Sequence, residues 1–250
     1  MHDLAVLDPA SRPVPIHGAE SGPEAIQPAV LQGEALVKRF GSTEALRGLD
    51  IEVGRGEILA VMGPSGSGKS TLLHCLAAIV RPDAGRVLYD GSRIDDLGES
   101  ARTRLRRNAF GFVFQFGQLV PELPAVENVA LPLLLDGVKR AEAIAQAAAM
   151  FPQLGLEGLE GRRPGEMSGG QAQRVAVARA LVTRPLVVFA DEPTGPLDSL
   201  SGEQVMELLT DAARASGTAV VLVTHEPRIA AYADREVVVR DGRIATAAER

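Results

Sequence analysis

The stretch that decides the fold of this chain reads Gly63-Pro64-Ser65-Gly66-Ser67-Gly68-Lys69-Ser70. It has the spacing G-x-x-x-x-G-K-[ST], in which glycines let successive backbone N–H groups turn toward phosphate oxygens. The apolar run Ile58–Met62 before it predicts a buried strand, and the residues from Lys69 to Val80 predict a helix. The alternative, a flexible turn that happens to contain a lysine, is disfavoured by this flanking strand and helix.

The residues at the end of this loop have distinct expected roles. Lys69 is expected to reach the β- and γ-phosphates of a nucleotide and to assist catalysis, while Ser70 is expected to ligate Mg²⁺. Thr71 is counted with the nucleotide-binding residues. The N-terminus of the following helix adds a partial positive charge. The loop by itself therefore indicates a P-loop nucleotide-hydrolysing protein, without saying which kind.

A second apolar strand, Val187–Ala190, is followed by two acids, Asp191 and Glu192. A strand buried on both faces avoids carboxylates unless they are used, and α/β sheets bind ligands at the carboxyl ends of their strands. We predict that Asp191 holds Mg²⁺, directly or through water, and that Glu192 orients or activates the attacking water. The alternative is a pair of helix N-cap residues ahead of Pro193.

Composition limits the class of protein. The 250 residues are 46% hydrophobic and 23% charged, which suits one large α/β domain or a core with a subdomain. The net charge of -6 and the pI of about 5.3 argue against nucleic acid as a partner, because such binders usually carry a basic surface. Cys75 is the single cysteine, so an intrachain disulfide is excluded.

The membrane-related signals are negative. No apolar run approaches the ~18 residues that a membrane helix needs, and the N-terminus lacks a basic segment followed by an apolar one, as a signal peptide would have. We therefore expect a soluble protein, to which another chain would supply any membrane spans.

The chain divides by composition into a tail and a folded domain. Residues 1–32 are rich in Pro, Gly, Ser and Ala and predict a flexible tail, whereas residues 33–248 alternate strand and helix patterns. That alternation predicts a mostly parallel sheet covered on both faces. Residues from about 96 to 168 change character and predict a helical subdomain, with the Ala-rich stretch Val138–Leu154 as one helix.

The segment Met167-Ser168-Gly169-Gly170-Gln171 resembles the signature sequence of ABC (ATP-binding cassette) ATPases, L-S-G-G-Q, with Met in place of Leu. A Ser-Gly-Gly turn that opens a helix is an anion-binding end, and the simple alternative is an N-capped helix. In that family the turn reaches across a head-to-tail dimer to the γ-phosphate on the partner. The resemblance therefore implies that residues 168–171 bind ATP in trans.

The resemblance covers about residues 34–245 and implies the α/β fold class. The expected architecture is a P-loop NTPase core of the ABC ATPase type, with a parallel sheet, an antiparallel β subdomain and an inserted α-helical subdomain. It also implies that Phe40 stacks on adenine, that Gln115 contacts Mg²⁺ and couples to a membrane subunit, and that His225 contacts the γ-phosphate. A core role for Phe40 and a structural role for His225 are the alternatives.

One position departs from the family pattern. Gly195-Pro196-Leu197-Asp198 has proline where the family commonly has asparagine, which bears on coupling across the dimer but not on ATP binding. The segments Gln118–Pro121 and Glu127–Leu133 are similar to one branch of the family. That branch contains the ATPases of lipoprotein-release, macrolide-export, peptide-antibiotic-resistance and cell-division systems.

The resemblance implies an ATP-binding and ATP-hydrolysing transporter subunit that uses ATP and Mg²⁺. Its expected partners are a second cassette, in a homodimer, and a membrane permease, with the chain peripheral on the cytoplasmic face of the cell membrane. An exporter-type or mechanotransmission system is expected. The alternatives are a nucleotide-gated regulator without transport and a soluble ABC ATPase of DNA repair or translation. The single cassette and the acidic charge disfavour the second of these.

Overall fold

The computed structural model describes residues 29–245. In this range the strands are β1 (Ala29–Phe40), β2 (Thr43–Gly54), β3 (Ile58–Met62), β4 (Ala84–Tyr89), β5 (Ser92–Arg93), β6 (Phe110–Phe114), β7 (Val187–Asp191), β8 (Ala219–Val223), β9 (Arg235–Arg240) and β10 (Arg243–Ile244). The α-helices are α1 (Lys69–Leu76), α2 (Glu99–Ala109), α3 (Ala125–Leu135), α4 (Arg140–Ala148), α5 (Gly169–Leu181), α6 (Ser199–Ser216) and α7 (Pro227–Ala230). Two short 3-10 helices are Pro152–Leu154 and Pro164–Glu166.

The central sheet has the strand order β10-β9-β3-β8-β7-β6. Its neighbouring strands are parallel, except for the antiparallel pair β9 and β10. Strand β8 is buried along its whole length and β3 along all but its last residue, which explains why both are continuous apolar runs. The predicted mostly parallel sheet is confirmed, and the carboxyl ends of β3, β7 and β8 meet at one edge.

An antiparallel sheet with the order β2-β1-β4-β5 covers α1. Its apolar side chains, Leu31, Leu36 and Leu46 among them, share one buried cluster with Leu72 and Leu73 of α1. This packing fixes the sheet against the helix that opens at Lys69. The predicted antiparallel subdomain is confirmed.

A helical layer lies on the other side of the central sheet. Helices α3 and α4 pack with α5 and α6 in a second buried cluster that includes the fully buried Phe151. The inserted helical part is therefore confirmed. Strand β6, although it falls within residues 96–168, belongs to the central sheet.

The first strand starts earlier in the chain than the sequence pattern predicts. Ala29–Gln32 were assigned to the flexible tail, but they form the beginning of β1. The physical reason is that Val30 and Leu31 bury their side chains almost completely, at 1% and 0% exposure. The rest of the predicted tail, residues 1–28, and the predicted domain end at 248 lie outside the described residues.

Two predicted helices are shorter than expected. Helix α1 ends at Leu76 rather than Val80, because Ala78 has a φ of 54°, which a right-handed helix does not accept. The predicted helix Val138–Leu154 consists of α4 followed by a 3-10 turn that starts at Pro152, where proline supplies no N–H for an α-helical hydrogen bond.

Among residues 29–245, no helix is both long enough and apolar enough to cross a bilayer.

The close packing of β6 on α5 gives a stability prediction. A Cβ on Gly111 would lie 2.3 Å from the carbonyl oxygen of Ala180 and 2.9 Å from Val188 Cγ2. We expect Gly111→Ala to lower the free energy of unfolding by about 1–3 kcal/mol, as overpacking of a core does. Urea unfolding followed by circular dichroism measures this change.

The matched control is Gly161→Ala, because a Cβ at Gly161 meets no heavy atom within 4 Å. Equal stability of the two variants would contradict the assigned packing.

Candidate nucleotide-binding site

The phosphate loop is pressed against the backbone of two neighbouring strands. A Cβ on Gly63 would lie 2.1 Å from the carbonyl oxygen of Val239 in β9, and one on Gly68 would lie 2.4 Å from that of Ala45 in β2. These glycines have φ values of 140° and 108°, which favour glycine in any case. The sequence pattern therefore has a steric cause, because the loop can lie between the two strands only without side chains at these positions.

The loop interior carries polar groups suited to an anion. The Lys69 ammonium donates hydrogen bonds to the carbonyl oxygens of Gly63 and Pro64, at 2.8 and 2.9 Å, so it lies across its own loop. The Ser67 hydroxyl is buried and has no hydrogen-bond partner among the described atoms. A cradle of backbone N–H groups with an ammonium and an orphaned hydroxyl fits a phosphate group.

A cleft of about 280 Å³ opens beside this loop. The residues that line it are Ala45, Ser65, Gly66, Gly68, Lys69, Ser70, Thr71 and Glu192. The structure thus brings the phosphate loop, Thr71 and Glu192, the acid that follows β7, to one cavity. Ala45 was not found by sequence reasoning, because an alanine on a strand carries no chemical signal and is identified only by its position.

Ser70 and Asp191 face each other at the same edge of the sheet. The Ser70 hydroxyl lies 3.5 Å from Asp191 Oδ1. Burial raises the pKa of the Asp191 carboxyl above its ordinary value, while the hydrogen bond from Ser70 acts in the opposite direction. Hydroxyl and carboxylate oxygens are ligands that Mg²⁺ accepts. Residues 29–245 contain no group of three or more His, Cys, Asp or Glu side chains arranged to hold a metal ion.

Glu192 and His225 contact each other across two neighbouring strands. Glu192 follows β7 with a φ of 45°, and its N–H donates to the carbonyl oxygen of Val223 at 2.9 Å. This left-handed conformation is uncommon for glutamate, and strained backbone of this kind is frequent at active sites. His225 follows β8, and its Nδ1 lies 3.1 Å from Glu192 Oε1. Both side chains therefore lie at the edge of the sheet where the phosphate loop begins.

Gln115 lies at the same edge, against the loop that follows Glu192. A Cβ on Gly195 would be 2.7 Å from Gln115 Nε2, so the amide rests on the backbone of that loop. The carbonyl of Phe114 accepts a 2.9 Å hydrogen bond from the Gln173 side chain of α5. Gln115 is therefore held between the sheet edge and α5, outside the residues that line the 280 Å³ cleft.

Phe40 lies at the end of β1 with 52% of its surface exposed. The Lys38 ammonium lies 5.5 Å from the centre of its ring. A ring this exposed is not a core residue, which was the alternative interpretation. Its π-face is available for stacking on a planar ligand.

The signature turn forms the N-terminus of α5. Ser168 Oγ accepts a hydrogen bond from the Gln171 N–H at 3.2 Å, and Gln171 Oε1 accepts one from the Ser168 N–H at 2.9 Å. This reciprocal pair is a capping box, so the N-capped helix correctly describes the local geometry. A Cβ on Gly169 would lie 3.2 Å from Leu197 Cδ2, and one on Gly170 would lie 3.3 Å from Ser201 Cβ.

The signature turn therefore packs on the segment around the start of α6. Within the described chain, the lining of the phosphate cleft includes none of its four residues, 168–171.

Pro196 fits the turn in which it stands. The neighbouring N–H groups of Gly195 and Leu197 donate to the carbonyls of Glu192 and Thr194, at 3.1 and 2.9 Å, so this turn uses the N–H groups on either side of the proline. Asp198 then caps α6 by accepting a 3.0 Å hydrogen bond from the Ser201 N–H.

Comparison with known proteins places this geometry in a family. The profile of the family described as "ABC transporter" matches residues 46–195. The lipoprotein-releasing system ATP-binding protein LolD of Shewanella sp. (strain MR-4) is 42% identical over 228 residues, which cover 90% of this chain and 99% of that protein. LolD of Bordetella pertussis is 47% identical over 218 residues, covering 86% of this chain and 94% of that protein. The resemblance to the lipoprotein-release branch is thereby confirmed.

Solved structures agree with this assignment. A dimeric, post-hydrolysis structure of the ATP-binding cassette MJ0796 bound to ADP and Pi superimposes with a TM-score of 0.79 at 36% identity, covering 86% of this chain and 97% of that chain. The structure of cbiO1 from Clostridium perfringens, part of the ABC transporter complex cbiONQ, gives a TM-score of 0.80 at 31% identity and covers 87% of each chain. The family profile matches more than half of this chain, and the alignment with LolD covers nearly the whole length of that protein. The chain therefore belongs to the ABC transporter family, as one of its ATP-binding and ATP-hydrolysing subunits.

Proposed function

We propose that this chain hydrolyses ATP with Glu192 as the group that orients and activates water, and that it does so as one half of a cassette dimer that drives a membrane permease. The observation that carries this proposal is the position of Glu192. Its side chain lines the same cleft as Lys69 and Ser70, and it contacts His225 at 3.1 Å. A carboxylate beside a phosphate cradle is placed to accept a proton from attacking water.

The residues divide the reaction between them. The N–H groups of the loop and the ammonium of Lys69 bind the phosphates, and Phe40 stacks on the adenine. Ser70, Asp191 and Gln115 would hold Mg²⁺, which neutralises phosphate charge when bound. Glu192 takes a proton from the water as the water oxygen bonds to the γ-phosphorus, and the bond from that phosphorus to the β–γ bridging oxygen breaks to give ADP and phosphate. His225 positions Glu192 and contacts the γ-phosphate.

The location of the signature turn supports a composite site. Because residues 168–171 pack near the start of α6 and not on the cleft of their own chain, we propose that they complete the site of a second chain. The N-terminus of α5, with its free N–H groups, supplies an anion-binding end for the γ-phosphate there. A homodimer is the simplest assembly, and the dimeric cassette structures that this chain resembles support it.

The relatives support a membrane partner. They are named as ATP-binding proteins of lipoprotein-releasing systems, which favours an exporter-type or mechanotransmission system for this chain. We propose that a separate permease supplies the membrane spans. The chain would then be peripheral on the cytoplasmic face of the membrane, with Gln115 near the surface that couples to the permease.

The catalytic assignment predicts the behaviour of Glu192→Gln. We expect kcat for ATP hydrolysis to fall by about 100-fold or more, since general-base catalysis typically contributes at least this much. The affinity for ATP should remain, because the amide keeps the size of the side chain, and a stable dimer should accumulate with ATP. Phosphate release and size-exclusion chromatography measure these two effects.

The control is Glu203→Gln, which neutralises an exposed acid on α6, away from the cleft. Normal turnover by Glu192→Gln would mean that another group activates the water.

The composite site predicts complementation between two inactive variants. Lys69→Ala lacks the phosphate-loop cation, and Ser168→Arg blocks the signature turn, so each homodimer has two defective sites. A mixture forms heterodimers in which the intact loop of one chain meets the intact turn of the other. We expect the ATPase rate of the mixture to exceed clearly the sum of the two separate preparations. A rate equal to that sum would contradict the trans arrangement.

The partner assignment is tested by affinity purification of the tagged chain from native membranes, solubilised in mild detergent. We expect an integral membrane permease to copurify with the wild-type chain. We expect the permease to dissociate from the ATP-loaded Glu192→Gln variant less readily than from the wild-type chain. Recovery of ribosomal or DNA-bound proteins in place of a permease would contradict the transport function.

A further inference from the structure

The turn that joins β9 and β10 lies behind the phosphate loop. It consists of Asp241 and Gly242, with φ values of 46° and 75°, as in a tight two-residue hairpin that needs positive φ at both positions. None of the proposed catalytic steps uses them.

Gly242 makes backbone hydrogen bonds in two directions. Its N–H donates to the carbonyl oxygen of Ser67 in the phosphate loop at 2.9 Å, and its own carbonyl accepts from the N–H of Arg47 in β2 at 2.9 Å. A Cβ on Gly242 would lie 2.7 Å from the carbonyl oxygen of Ala45. One residue therefore connects the phosphate loop to β2, in a space with no room for a side chain.

The two elements joined at Gly242 carry the two ends of the nucleotide site. The carbonyl oxygen of Ala45 also packs against Gly68 of the phosphate loop, where an added Cβ would lie 2.4 Å from that oxygen. Strand β2 pairs with β1, and this pair ends at Phe40, whose register partner is Thr43. The spacing between the phosphate cradle and the ring of Phe40 is thus set through a short path of backbone contacts that passes through Gly242.

We propose that Gly242 is a positioning residue for the nucleotide, which holds the phosphate loop and β2 at the separation that ATP requires. The residue acts through Ser67 and Arg47 and does not itself touch the ligand. This inference rests on the proposed ATP site, with phosphates at residues 63–70 and adenine at Phe40. A side chain at this position moves β2 away from the loop and weakens ATP binding more than it slows the chemical step.

The chain contains a matched control for this residue. The hairpin between β4 and β5 turns at Asp90 and Gly91, the same dipeptide, with φ values of 48° and 74°. A Cβ on Gly91 meets no heavy atom within 4 Å. Gly91→Ala therefore carries the same backbone strain as Gly242→Ala, but it leaves the phosphate loop and β2 undisturbed.

The experiment compares Gly242→Ala with Gly91→Ala in the full chain, using ATP with Mg²⁺. We expect Gly242→Ala to raise KM for ATP by about tenfold or more, which is the change in affinity that the loss of one backbone hydrogen bond with a buried acceptor typically causes. We expect kcat at saturating ATP to stay within about twofold of the wild-type value. Gly91→Ala should keep the wild-type KM. Thermal unfolding of both variants separates the shared strain from the specific effect.

Equal KM values for the two variants would overturn the proposal, and so would a fall in kcat with unchanged KM. If Gly242→Ala does not fold, Gly242→Asn is the second variant, because asparagine accepts positive φ but adds the same Cβ. Failure of both to fold beside a folded Gly91→Ala would assign Gly242 a purely structural role. All of these outcomes for the Gly242 variants are compatible with ATPase activity of the wild-type chain, so they test the role of Gly242 alone. Absence of wild-type ATPase activity, or normal turnover by Glu192→Gln, would instead contradict the proposed function.

Discussion

The phosphate loop of this chain comes so close to two strands that their carbonyl oxygens occupy the space where side chains would be. At Gly63 a Cβ would approach Val239 to 2.1 Å, and at Gly68 it would approach Ala45 to 2.4 Å. The loop backbone can lie this close to both strands only because glycine has no side chain at these two positions. The rest of the site is arranged around that fixed loop, because the antiparallel sheet, the central sheet and α1 meet there.

The parallel arrangement of the central sheet is what brings the side chains of Asp191, Glu192 and His225 to the phosphate loop. Strands β3, β7 and β8 are neighbours, so the residues that follow them lie side by side although they are far apart in the chain. Glu192 and His225 meet at 3.1 Å for this reason, and Asp191 faces Ser70. The site is thus assembled from three segments that are distant in the chain: the phosphate loop with the start of α1, the residues at the end of β7, and the loop that follows β8.

Much of this site could be predicted from the sequence, because its chemistry resides in residue types with few other uses at those positions. Glycines before a lysine, and acids at the end of an apolar strand, are such cases. Ala45 could not be predicted, since it contributes only a backbone carbonyl and a place in the cleft wall. The burial of Val30 and Leu31 was hidden by the proline-rich residues before them, and the end of α1 depends on a local φ at Ala78 that no pattern encodes.

The composite site proposed above, in which the signature turn of one chain completes the phosphate cleft of another, has a consequence for how activity scales with the amount of protein. A site assembled from two chains exists only in the dimer, so in dilute solution its concentration grows with the square of the chain concentration. Tethering two chains to one membrane assembly removes this dependence, because the second chain is then present at a high effective concentration. Recruitment to the membrane would thus itself control ATP consumption, and chains not yet assembled would spend little ATP.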